Sequence, residues 1–279
     1  RDSARGARKR TWFSIIRRMG WSALGTQFCL ELGFGVLVAL AFVPSAPVGT
    51  LFYRIMGTCA FLPLLVALVA SVAWGGASTS DPQVLLTLAA TLGYPVVSGP
   101  FKGRRWAVFL ASSLLFSGAA LVASVAAASG LGGPLEISLG SLTAMATGAV
   151  AGSVSLAMVL GHWYLTIPTL DIAHLRRLNR VTAFSMLACL VLLAATCVVF
   201  HGRLSAADAP LFGPRGMFHL GTRLAVGLLI PLLMAWMTAG SLQYKNTRSA
   251  TGILYASTIL VLIGTAVSVS LQGSYGVPL

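Results

Sequence analysis

The segment VLLTLAATLGYPVVSGPF, residues 84–101, decides the architecture of this chain. If it crosses a membrane, every later segment runs in the opposite direction. If it turns back, the later segments keep theirs. It opens well as a helix, because Ser80-Asp81-Pro82 supplies a capping residue followed by a proline at the first helical position. Gly93, Pro95, Gly99 and Pro100 then interrupt the helical pattern. Crossing a hydrocarbon core of about 30 Å takes about 20 residues of helix, so the segment stands at the lower limit.

Composition makes a membrane the setting. The 279 residues are 57% apolar and only 9% charged, with a mean hydropathy of +0.87. A soluble domain carries roughly 25% charged residues, so this chain cannot clothe a globule in polar groups. Seven further stretches are long and apolar enough to span: 21–45, 55–76, 106–129, 139–169, 181–200, 222–243 and 252–272. The fold expected is an all-α, polytopic membrane helix bundle. It has seven transmembrane helices, with 84–101 as a re-entrant segment or an eighth short helix. Residues 1–20 form a basic tail and 21–279 a single transmembrane domain.

The charges are lopsided, 19 Lys and Arg against 6 Asp and Glu. They flank the apolar spans, which is the pattern of membrane orientation, and no polar domain exists to read a nucleic acid. With seven spans and the N-terminus in the cytoplasm, 15 of the 19 cations fall on the cytoplasmic side; an eighth span changes the split to 10 against 9. Charge therefore favours seven spans, and the length of 84–101 favours eight. The short loops and Ala/Leu/Val/Gly-rich spans fit a bacterial inner membrane. The tail, with Arg8, Lys9, Arg10, Arg17 and Arg18 beside Trp12, Phe13, Ile15 and Ile16, reads as an interfacial helix on anionic lipid, or as an extension of the first span. Lys245 and Arg248, near Trp236 and Tyr244, mark another headgroup-level belt. The longest polar connection is 201–223, and no internal repeat is evident in the sequence.

Few residues could carry chemistry. The four cysteines lie inside spans without a CxxC, so no metal centre is indicated, and no nucleophile, phosphate-loop or metalloprotease motif is present. Glu31 stands alone in the apolar run CLELGFGVLVAL (29–40). An acid there needs a partner or a proton. Gln27 and Gly35, one turn away on either side, give Glu31 a polar, small-residue stripe that should face the bundle interior.

The second unusual residue is His162 in LGHWYLTIP (160–168), followed directly by Trp163 and Tyr164. Its helix carries Gly148 and Gly152, a GxxxG that lets another backbone approach. Both Glu31 and His162 are expected near the bilayer midplane, where they could meet. Such a pair could relay protons or hold a quinone carbonyl. It could equally be a structural interhelical hydrogen bond. A b-type haem is disfavoured, since His162 is the only histidine inside a span; His201 and His219, at the two ends of one loop, are the other candidate ligands.

Three functions fit these features. One is the membrane subunit of an electron-transfer or energy-transducing complex, with a quinone or proton site at Glu31 and His162 and with other membrane or soluble subunits as partners. A second is a small proton-coupled secondary transporter. A third is a structural or lipid-binding scaffold.

Overall fold

The computed structural model describes residues 21–43, 49–129, 133–167, 170–206, 210–277 and 279. The basic tail, with Arg8, Lys9, Arg10, Arg17 and Arg18, lies outside the described residues. Everything described is helix or connection: α1 (Trp21–Ala41), α2 (Thr50–Ala73), α3 (Pro82–Thr91), α4 (Tyr94–Val97), α5 (Arg104–Ser129), α6 (Pro134–Thr166), α7 (Ala173–Val199), α8 (His201–Ala206), α9 (Pro214–Leu224), a π-helical turn (Ala225–Leu229), α10 (Ile230–Gln243) and α11 (Thr247–Tyr275). Seven helical spans are long and apolar enough to cross a membrane, with α9, the π turn and α10 counting as one. The protein is a multi-pass α-helical membrane protein.

Local chemistry sets the boundaries. Prolines at the first turn open α3, α6 and α9, where a missing N–H costs nothing. Asn246 caps α11 by accepting from the Ser249 N–H at 3.1 Å, and Gly276 closes it in the left-handed conformation at φ 65°. Pro95 cannot donate to the Thr91 carbonyl, so α3 stops and restarts as α4. Pro231 removes the donor that would reach Gly227, and there the ladder widens into the π turn.

The segment 84–101 resolves as a crossing. The α3–α4 pair runs antiparallel to α2: the Tyr94 and Phe61 rings are 5.6 Å apart, and Ser98 abuts Gly57. Helix α5 then runs back along it, with Ser113 donating to the Ala90 carbonyl and Trp106 Nε1 to that of Val97. Consequently α6 is parallel to α1. The Glu31 backbone lies against Gly148 and the Gly35 backbone against Gly152, so residue numbers rise together along both helices. Seven alternating spans would have set the two antiparallel. The cations, counting the tail with the end from which α1 starts, then divide almost evenly between the two ends. The charge argument for seven spans thus fails, because α3 and α4 are held by packing on α2 and α5 rather than by loop charge.

A duplication not evident in the sequence appears in the packing. In the first half, α1 packs on α2 and α5, α3 on α5, and α2 on α3. In the second, α6 packs on α7 and α11, α10 on α11, and α7 on α10. The halves meet along α1 and α6, with α5 also reaching α6 and α11 also reaching α1. In each half the third crossing is the interrupted one.

The seam is backbone against backbone. A Cβ on Gly35 would lie 1.7 Å from the Gly148 carbonyl oxygen, and one on Gly152 would lie 1.9 Å from the Gly35 carbonyl carbon. Replacing Gly35 or Gly152 by Ala should therefore destabilise the bundle by about 3 kcal/mol or more. Ala at Gly221, which has no neighbour within 4 Å, should be silent in the same thermal-unfolding assay in detergent. In a cysteine-free background, single cysteines at Ser80 and Ser274 should react with an impermeant maleimide from one side of the membrane. Cysteines at Lys102 and Asp171 should react from the other.

Candidate functional site

Glu31 occupies the middle of α1 with 1% of its surface exposed. Its Oε1 accepts from Gln27 Nε2 at 2.9 Å, and Gln27 Oε1 accepts from Ser124 Oγ on α5 at 2.8 Å. The i, i+4 spacing on one helix face brings Gln27 to Glu31. Glu31 Oε2 has no hydrogen-bond partner.

The charge that acts on Glu31 is not a histidine but Arg223, near the C-terminal end of α9. Arg223 is 1% exposed and is the largest of the fully buried side chains. Its Nη2 donates to Thr147 Oγ1 at 2.8 Å, and Thr147 Oγ1 lies 3.9 Å from Cys189 Sγ on α7. Nε and Nη1 have no partner. Gly227, one turn on, packs against the guanidinium: a Cβ there would stand in ordinary contact with Nη1, at 3.5 Å. Gly227 can approach because it faces Gly264 on α11, again backbone to backbone. Thr147 precedes Gly148, the residue against Glu31. The carboxylate and the guanidinium therefore converge on one level of α6, and both act electrostatically on Cys189.

His162 takes no part. It lies one turn from the end of α6, exposed, with Nδ1 3.2 Å from the Tyr255 hydroxyl. Gly148, beside Glu31, is fourteen residues earlier on the same helix, roughly 21 Å away at 1.5 Å per residue. The expected meeting of Glu31 and His162 does not occur, because α6 ends at Thr166 and leaves His162 at the rim rather than the midplane. Trp163 packs edge-on against Phe52, and the Tyr164 hydroxyl donates to the Asp171 carbonyl; both lie at that same rim. His201 stacks on Phe212, while His219 Nδ1 contacts the Arg215 carbonyl oxygen at 2.8 Å. Gly148 and Gly152 form the seam with α1. Lys245 and Arg248 stand in and after the turn that joins α10 to α11.

In the sequence Arg223 falls at the last position of the polar connection 201–223, where a cation is expected outside the bundle. The signal that finds it is Gly213-Pro214, the same helix-start chemistry recognised at Asp81-Pro82. A helix begun at Pro214 puts Arg223 two and a half turns inside. The loop expected over 201–223 is accordingly α8, a short connection and α9.

Fold and site together define a class, a helical membrane bundle of two similarly packed halves with an acid and a guanidinium buried near their seam. Compared with known protein families, curated proteins and solved structures, the chain matches none.

Removing one member of a buried charge pair leaves the other uncompensated, at a cost of about 3–5 kcal/mol. Arg223→Gln should thus lower the unfolding temperature markedly. Adding Glu31→Gln to it should recover part of that loss, a coupling that a double-mutant cycle measures.

Proposed function

We propose that the protein is a proton-coupled membrane carrier in which Glu31 binds the proton and Arg223 is its fixed counter-charge. One observation carries this reading. Two opposite charges, each 1% exposed, sit at the middle of the bundle without a hydrogen bond between them, and each has polar atoms left over. A purely structural pair would close into direct contact, because an unmet polar group in an apolar interior costs as much as a lost hydrogen bond or more. A pair kept open can exchange a proton and a ligand. Ionisable residues inside a membrane bundle generally mark such pathways.

The architecture supports the same reading. Parallel structural repeats with interrupted helices in corresponding positions are a recurrent carrier design. Here the interruptions are Gly93–Pro95 in the first half and the π turn with Pro231 in the second. The second interruption lies one turn from Arg223.

The electron-transfer reading loses the aromatic–histidine–acid cluster on which it rested. What favours it is a lateral crevice of about 330 Å³ between α2 and α3–α4, lined by Thr58, Phe61, Leu62, Leu65, Thr91 and Tyr94. The Thr58 and Tyr94 hydroxyls are 3.3 Å apart there and could present a donor to a quinone carbonyl. Quinone in an organic extract of the purified protein, lost on Tyr94→Phe, would favour that reading.

The carrier reading is tested in proteoliposomes containing a trapped pH dye. A pH gradient should drive proton movement at least tenfold above that of protein-free vesicles. Glu31→Gln should abolish it, and His162→Ala should leave it intact. Equal fluxes in wild type and Glu31→Gln would refute the role given to Glu31.

A further inference from the structure

The charges at the seam constrain what such a carrier could move. A guanidinium keeps its proton at any pH a protein survives. With Glu31 ionised, Arg223 and Glu31 sum to zero. With Glu31 protonated, one positive charge is left in a water-poor interior, which is strongly unfavourable. Among the described residues no second acid stands at the site: Asp81, Glu136 and Asp171 lie at helix ends. Among the described residues, Arg223 is the charged group that bears on Glu31, and the thiol of Cys189 is the other titratable group against Arg223. The polar groups that reach the site are neutral: Gln27 on α1 itself, Ser124 on α5 and Thr147 on α6.

We infer that the Arg223–Glu31 site takes up a small monovalent anion together with each proton, the anion accepting from the unpartnered Nε and Nη1 of Arg223 while Glu31 carries the proton. This rests on the carrier reading and adds its substrate class. The donors available are N–H groups of a single cation, which selects an acceptor-only ligand bearing one negative charge. A cation would face Arg223 unshielded. The close backbone crossings at Gly35–Gly148 and Gly227–Gly264 leave little slack around the site, which favours a small ligand. When Glu31 ionises, it restores neutrality and displaces the anion. One proton and one anion then cross together, and no net charge moves.

The test uses the full chain in proteoliposomes with chloride, nitrate or formate as the sole permeant anion, and protein-free vesicles as the baseline. Acid outside should drive uptake of at least one of the three at least tenfold above baseline. Clamping the membrane potential with potassium and valinomycin should change the rate less than twofold. Glu31→Gln should abolish the pH dependence. Arg223→Lys, which keeps the charge but loses the guanidinium donors, should weaken anion dependence at least fivefold. Its folding is checked by size-exclusion chromatography, and Thr147→Val provides a second, milder perturbation of the same guanidinium. Preference for nitrate and formate over chloride would identify an oxyanion site, and the reverse order a halide site; either supports the inference. Proton flux that Glu31→Gln removes but that no anion affects would overturn the anion and leave the carrier reading standing. Absence of proton flux in the wild type would overturn both.

Discussion

The crossing of α1 on α6 at Gly35, Gly148 and Gly152 is the contact on which the rest of this bundle depends. Inside a bilayer, lipid tails solvate an apolar helix as well as another helix does, so association needs contacts that lipid cannot match. Bringing two backbones into van der Waals contact is one such contact, and only glycine allows it. The consequences are geometric. Because α1 and α6 are parallel and in contact, the remaining helices must flank them, α2 and α5 on one side of the seam and α7 and α11 on the other. Because Gly148 abuts the Glu31 backbone, the carboxylate is fixed at the level of Thr147.

At that level the seam holds groups an apolar bundle has no packing reason to keep. Hydrophobic residues of similar volume would stabilise a buried position as well as a charge pair or better. Several supports around Arg223 nevertheless hold it in place: a hydroxyl partner on α6, a glycine beneath it, and a second glycine on α11 that lets the first come close. Glu31 has its own support in the Gln27–Ser124 chain. The two sets of supports come from different helices and leave the two charges without a hydrogen bond to one another. Stability alone does not explain that arrangement, and the proposed carrier role rests on that gap.

Composition and hydropathy made the class of fold and its seven long spans legible, because lipid exposure constrains every position of a span. Glu31 was legible for the same reason, since one acid in an apolar run has no bland surface explanation. Three features were not. The 84–101 crossing was obscured because its prolines mimic a loop, and their effect is undone only by packing between α2 and α5. Arg223 was hidden by the assumption that cations lie outside spans, an assumption that fails where an opposite charge waits inside. The duplication left no mark because packing fixes which faces of a helix must be small or apolar, and many sequences satisfy that. His162 misled for a related reason. Its depth was inferred from where the apolar run ended, and α6 ends three residues before that run does.

The two halves are alike in packing but not in chemistry, and that asymmetry bears on how the site could work. The acid comes from α1 in the first half, the cation from α9 in the second, and the hydroxyl that holds the cation from α6. Neither half holds a complete site. Any tilt of one half against the other about the glycine seam therefore changes the distance between Glu31 and Arg223, while leaving each group's own supports intact. A proton on Glu31 weakens the attraction across the seam, and its loss restores it. The seam is thus an element whose position and whose charge state bias one another, which is the physical requirement for coupling a proton to a change of shape. The interrupted third crossings fit that requirement, because broken helices allow part of a half to move without unpacking the rest. Glycine at the pivot fits it too, because two smooth backbones can slide where interlocked side chains could not.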